Sequence, residues 1–258
     1  DYKPGAGASI GAEFVARAAP DGYTIGLTDT GPLCIMPHLR KVSYDPLTSF
    51  TPLSYICTTG LVLIVNPELP VNNIQELIAM AKKRPGSLSY ASSGVGSVHH
   101  LAGELFKARA GVSIVHIPYR GAGPALTDLV GGQIPVMFAT IGPALSMISA
   151  GKARALGVTS LTRSASLPNV PTISESGFPG FNIENWQGIF VPAGTSNNII
   201  QFLATSSNTI SNDKSYHETL SAQGAVPSPL PPKEFAMFVQ QETQKYSKLV
   251  KESGAKAD

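Results

Sequence analysis

Leu88-Ser89-Tyr90-Ala91-Ser92-Ser93-Gly94-Val95-Gly96-Ser97-Val98-His99-His100-Leu101-Ala102-Gly103-Glu104-Leu105-Phe106 changes its period twice. Leu88 to Ala91 reads as a short strand and Ser92 to Ser97 as a loop of small residues. A helix begins near Val98, with Leu101, Leu105 and Ala108 recurring at helical spacing on its inner face. The start of a helix leaves backbone N–H groups without intrahelical partners, and the helix dipole adds partial positive charge there. Gly94 and Gly96 let the backbone approach a ligand, and Ser92, Ser93 and Ser97 offer hydroxyls. Together they make a seat for an anion, a carboxylate or a phosphate. An ordinary strand-to-helix turn closed by a serine cap uses the same residues. Both readings stand at this point.

Outward from this stretch the alternation continues. Gly5-Ala6-Gly7-Ala8-Ser9 is a second small-residue loop, followed by a helix over Ile10 to Ala19 with Ile10, Phe14 and Val15 as its apolar stripe. Ser9 is placed to cap it, and Pro20-Asp21-Gly22 stops it. The run falls short of GxGxxG, because the third glycine would be Ile10, so a dinucleotide site is not expected. Tyr23 to Leu27 reads as a strand ending in the polar loop Thr28-Asp29-Thr30-Gly31-Pro32, with a helix-like stretch from Leu33. Leu61 to Val65 is an apolar run expected for a strand buried on both faces. Ile74 to Lys83 is an amphipathic helix stopped by Arg84-Pro85-Gly86. Further strands are expected at Ser113 to Ile117, Ile134 to Ala139, Ala155 to Thr159 and Asn185 to Pro192. The loop Pro118 to Pro124 opens a helix over Ala125 to Val130, and Thr140 opens another; Ile199 to Ile210, Lys214 to Gln223 and Glu234 to Ser253 are helical. Alternating strands and helices predict α/β lobes with largely parallel sheets, whose ligands sit outside the carboxyl ends of the strands, where the small polar loops gather.

Composition narrows the function. The 258 residues suffice for one large domain or two lobes, and charged residues make up only 14%. A net charge of +2 from scattered Lys and Arg supplies no field for nucleic acid. Cys34 and Cys57 form no CxxC motif, and free buried thiols are favoured over a bridge. The histidines at 38, 99, 100, 116 and 217 lack zinc-ligand spacing, and no apolar run is long enough to cross a membrane as a helix. Asp1-Tyr2-Lys3-Pro4 reads as the tail of a strand, with the expectation that a leader and part of the fold lie upstream. A nucleophile reading pairs Ser92, Ser93 or Ser97 with His99 or His100, but the stretch does not match G-x-S-x-G and no acid is placed by sequence. Asp29, Asp45, Glu104, Asp128 and Glu184 read as isolated acids, mostly on solvated faces. Arg120 can clamp a carboxylate, and Tyr119 and Trp186 can line an apolar pocket. Several polar loops without an acid–base pair, metal set or cofactor motif describe a binder.

The ordered motifs Pro4-Gly5-Ala6-Gly7, Ala19-Pro20-Asp21-Gly22-Tyr23-Thr24, Tyr90 to Ser97 with His100-Leu101, Pro118-Tyr119-Arg120-Gly121, Gly131-Gly132-Gln133 with Met137-Phe138, and Leu167 to Thr172 with Glu175-Ser176-Gly177 span the chain. In this order they closely resemble the Bug family, the TctC-like periplasmic receptors of tripartite tricarboxylate transporters. The resemblance implies a two-lobed α/β fold of the periplasmic-binding-protein (type II-like) class with a ligand cleft between lobes. It places lobe 1 at residues 1–63 and 190–258 and lobe 2 at 64–189, with crossings near Leu63 to Val65 and Gly188 to Val191.

It further implies a small carboxylate held by Ser92, Ser93, Gly94, Gly96, Ser97, His100, Tyr119, Arg120, Gly121 and Thr140 from lobe 2. Gly5, Gly7, Ser9, Thr28, Thr30 and Trp186 complete the expected site. The implied partners are that carboxylate and membrane transporter subunits, in the periplasm, with no cofactor. A sensor passing its signal to a membrane kinase, and a hydrolase using Ser93 or Ser97 with His100, are the alternatives. Two departures stand out. The family's first strand, glycine-rich loop and helix have no counterpart before Tyr2, which leaves an exposed sheet edge and a strand-exchanged dimer as an alternative to the family's monomer. Ala139 stands where many relatives carry Asp, which tilts the expected ligand towards a dicarboxylate, tricarboxylate or aromatic acid without an ammonium group.

Overall fold

Strand β2, Phe50–Val65, is the spar of the molecule, because its two halves belong to two different sheets. In the computed structural model, which describes every residue except Tyr2, Pro4 and Asp258, Phe50 to Gly60 pairs with one set of strands and Leu61 to Val65 with another. The reading of Asp1 to Pro4 as a strand tail falls partly on Tyr2 and Pro4, outside the described residues.

In chain order, a 3-10 turn at Ala6–Ala8 leads into α1 (Ser9–Ala16) and β1 (Gly26–Asp29). A π-helical turn at Gly31–Ile35 and α2 (Met36–Leu39) precede β2; α3 (Ile74–Lys83), β3 (Ser89–Ser92), α4 (Val98–Ala110), β4 (Val115–Pro118), α5 (Ala122–Val130), β5 (Val136–Thr140), α6 (Ile141–Ser149) and β6 (Arg154–Val158) follow. The chain closes with β7 (Glu184–Pro192), α7 (Asn197–Ser211), α8 (Lys214–Ala222), β8 (Ala225–Pro227) and α9 (Pro232–Ser253).

The first sheet joins β1, β7, the first half of β2 and β8, and every pairing in it is antiparallel. The second holds the rest of β2 with β5 and β6 antiparallel, and β5, β3 and β4 parallel. The expectation of largely parallel sheets therefore applies only to β4-β3-β5, the strands linked by helical crossovers. The chain changes sheet at Gly60–Leu61 and returns at Glu184, a few residues before the positions expected from the resemblance.

Leu61 to Val65 are fully buried, as an apolar strand covered on both faces should be. One core lies behind the first sheet, where Trp186, Phe190, Phe235 and Tyr55 pack edge to face or tilted. It is continuous with the inner face of α4 (Val98, Leu101, Ala102, Leu105, Phe106), so α9 leans on α4 and the Arg109–Glu252 ion pair at 2.7 Å ties the two. Ala108 is exposed and does not share that inner face. A second core (Val62, Ile64, Ala125, Leu129, Met137, Ile141) fills the other side of the second sheet.

Helix α3 runs from Ile74 to Lys83 as its pattern predicts, because Asn73 caps it by accepting from Glu76 N at 2.9 Å. Helix α1 departs from expectation. Ser9 is its first residue, is buried and donates to Ala6 O, while Ile10 and Phe14 are half exposed and Ala12 is the helix's one buried apolar residue. Among the described residues strand β1 pairs only with β7 and is the outermost strand of its sheet, with Ile25 and Leu27 exposed beside Tyr23.

Candidate functional site

A cavity of about 1350 Å³ opens between the two sheets and draws its walls from the small polar loops picked out in the sequence. On one wall, β3, β4 and β5 all end at it. Helices α4, α5 and α6 start there through Ser97-Val98-His99, Gly121-Ala122 and Thr140 to Pro143. Three helix N-termini thus converge on one space. The first two amides of α4, Val98 and His99, have no intrahelical acceptor by position. Neither Gly121 nor Thr140 caps its helix with a side-chain hydrogen bond.

The side chains of this wall mostly hold its backbone. Ser97 caps α4, accepting from His100 N at 3.2 Å and donating to Gly94 O at 2.7 Å. Ser93, His99 and Thr140 form a chain: Ser93 Oγ lies 2.8 Å from His99 Nδ1, and Thr140 Oγ1 3.0 Å from His99 Nε2. Whichever ring nitrogen carries the proton, one of the two hydroxyls keeps its own proton free for the cavity. Burial holds the His99 pKa down at about 4, so the ring is neutral near pH 7. The third member of the chain is a hydroxyl, which cannot stabilise an imidazolium as a carboxylate would. His100, the base of the hydrolase alternative, is buried, stacks on His116 with centroids 4.2 Å apart, and accepts from Gly96 N at 3.3 Å.

The opposite wall is the face of the first sheet. Register sets Asp29 opposite Gln187, Gln187 opposite Cys57, and Asn185 opposite Thr59; all five line the cavity. The irregularity between Tyr55 and Cys57 makes this arrangement work, since it turns Tyr55 into the aromatic core and Cys57 to the cavity. Asp29 Oδ1 accepts from Gly31 N at 3.0 Å, and the Asn185 side chain also bonds the carboxylate. Burial raises the Asp29 pKa against these bonds. The Gly5-to-Ala8 loop completes this wall with four successive residues at positive φ, of which Ala6 (48°) and Ala8 (67°) are strained.

Of the expected site, Gly5, Gly7, Thr28, Ser93, Gly94, Ser97, Tyr119, Arg120, Gly121 and Thr140 border the cavity. The rest do not. Ser92 is buried between His116 Nε2 at 2.7 Å and the Gly94 backbone. The Gly96 amide is engaged by His100, and Ser9 by Ala6 O. Thr30 accepts from Trp186 N at 3.0 Å, and Trp186 itself is core. Ala139 is buried in the second core, so an acid there would not face the cavity and its absence says nothing of the ligand. Both cysteines are free and buried, as expected.

Sequence reading missed the sheet wall. Asp29 is half-buried in the cavity rather than on a solvated face, and Glu104 is enclosed by Tyr90 Oη at 2.7 Å and Lys107. The alternation Asn185-Trp186-Gln187-Gly188 was the available signal, with its polar residues on one face and its core residues on the other.

The chain matches, over residues 1–255, the family described as "Tripartite tricarboxylate transporter family receptor". It is 37% identical over 256 residues to protein BugT of Bordetella pertussis, covering 98% of this chain and 78% of that one. Its fold is similar to R. palustris Rpa4515 with adipate (34% identical, TM-score 0.91, covering 96% of this chain and 83% of that one). It is also similar to MatC from Rhodopseudomonas palustris with bound malate (29% identical, TM-score 0.89, covering 95% and 85%). The two-sheet architecture, the cleft between the sheets and these likenesses agree: the chain belongs to the tripartite tricarboxylate transporter receptor family, the Bug or TctC-like receptors with a two-lobed periplasmic-binding-protein fold.

Proposed function

We propose that this protein captures a small organic carboxylate in the periplasm and delivers it to the membrane subunits of a tripartite tricarboxylate-type transporter. The observation that carries the reading is the convergence of the α4, α5 and α6 N-termini on one cavity, with free donors at Val98 and His99 and an ever-present hydroxyl donor from Ser93 or Thr140. Neutral donors fixed by the fold satisfy a carboxylate without the strong ion pair that would hinder its release. Arg120, exposed at the rim and in no ion pair among the described residues, adds long-range attraction. The ligands named for two relatives, adipate and malate, are of the same class. A ligand that contacts both walls favours their approach through its greater affinity for the closed form. With no carboxylate on His99 among the described residues, the same geometry supports binding rather than hydrolysis.

A thermal-unfolding screen against dicarboxylates, tricarboxylates, aromatic acids and amino acids tests this. A ligand at about a hundredfold its dissociation constant should add about 2.7 kcal/mol of stability. No shift with any carboxylate would refute the reading.

A further inference from the structure

The cavity holds a feature that a plain carboxylate does not use. Asp29 and Asn185 are neighbours on the sheet wall, and Asn185, only 6% exposed, keeps a buried Oδ1 with no hydrogen-bond partner among the described residues. Its amide nitrogen is the group able to donate to the Asp29 carboxylate, so the oxygen beside it is an acceptor left over. A buried, unsatisfied acceptor is costly, and native proteins leave few of them. Asp29 is the second anomaly. Lys3 and Arg40 also line the cavity, yet Asp29 makes no ion pair with either among the described residues. A carboxylate without a counter-cation and an acceptor without a donor, among the described residues, therefore lie side by side, opposite a wall built of donors.

We propose that Asp29 and Asn185 form a subsite for an ammonium group, so that the captured ligand is a carboxylate that also carries an amine. An ammonium has three N–H donors and a positive charge. One N–H meets Asp29, a second meets Asn185 Oδ1, and the charge neutralises the desolvated carboxylate. The ligand's carboxylate faces the helix ends, so charge is complementary on both sides. A second ligand carboxylate at Asp29 would instead place two like charges together. This inference rests on the carboxylate reading and assigns the other end of the same ligand.

Isothermal titration of the full chain at pH 7 tests it with matched acids that differ only at the 2-position. Each set has an amino, a hydroxy and an unsubstituted member, in the four- to six-carbon dicarboxylates and in the phenylalanine series. The amino member of the binding set should be at least about tenfold tighter than both others. Asp29→Asn, nearly isosteric, should bring the three within about threefold and tighten the unsubstituted acid. Its unfolding midpoint, measured alongside, shows that the variant is folded. An unsubstituted or hydroxy acid that binds as tightly as its amino partner overturns the subsite, as does an amino preference that survives Asp29→Asn. Binding of no member in any set overturns the carboxylate reading, and the subsite with it.

Discussion

The two walls of the cavity are built on opposite plans. The helix-end wall presents main-chain donors, and the side chains in and behind it (Ser92, Ser97, His99, His100) are largely occupied with one another and with the backbone. The sheet wall presents polar side chains instead: the Asp29 carboxylate, which only accepts, and Asn185, Gln187 and Thr59, which can donate or accept. A wall of the first kind recognises a charge type; one of the second kind can discriminate within that type. The difference also makes the walls respond to different perturbations.

Acid should break the helix-end wall first. His99 titrates near 4 in the folded chain and near its ordinary 6.5 when unfolded, so between these values only the unfolded chain takes up the proton. Its share of stability is full above about pH 6.5 and falls by about 3 kcal/mol by pH 4. His116, lowered to about 3 by burial and by His100 and Lys107, acts in the same direction. Urea unfolding at pH 7.5, 5.5 and 4.5 measures this, and His99→Gln should flatten the profile. A profile unchanged by His99→Gln would show that His99 is not held neutral. On the sheet wall the sign reverses. Burial raises the Asp29 pKa, so its charge opposes folding above the unfolded value, and Asp29→Asn should raise the midpoint at pH 7 but not below pH 3.8.

The next perturbation tests how closely the lobes meet. Gly96 sits at φ 78°, and an added Cβ would run into the Met36 side chain. Gly96→Ala should therefore cost about 3 kcal/mol through the left-handed backbone and the overpacking together. Adding Met36→Ala should recover the packing part in a double-mutant cycle; no recovery would mean that the two surfaces do not touch. Smaller still, Ser97→Ala should cost about 1 kcal/mol of stability as a lost cap. A large loss of ligand affinity with unchanged stability would instead make Ser97 a ligand contact. Ala8→Gly should stabilise by about 1 kcal/mol, because it relieves a positive φ.

How much of this could be read in advance follows the same division. The helix-end wall was legible because glycine, serine and proline punctuate a strand-to-helix turn locally, and α4 and α3 begin where the cap residues say they should. Its internal economy was not: that Ser92 would meet His116 from another strand, or His99 reach Thr140, depends on partners distant in sequence. The sheet wall was illegible because it is assembled from β1, β2 and β7, far apart in the chain, and because the irregularity at Tyr55–Cys57 reverses which residues of β2 face the cavity. Thr30 and Trp186, expected at the ligand from the resemblance, bond each other within the core.

The glycine contacts across the cavity carry one more consequence. A Cβ on Gly7 would stand 2.7 Å from Val95 O, so at that end the lobes meet main chain to main chain. Main-chain shape cannot be edited by exchanging side chains without displacing the loops themselves. The five side chains of the sheet wall, by contrast, project from strands whose ladder is made by backbone groups. A protein divided in this way has a fixed grip and an interchangeable reader. If the proposed carboxylate reading holds, altering which acid is bound should require substitutions at positions 29, 57, 59, 185 and 187, while the loops of the helix-end wall stay as they are.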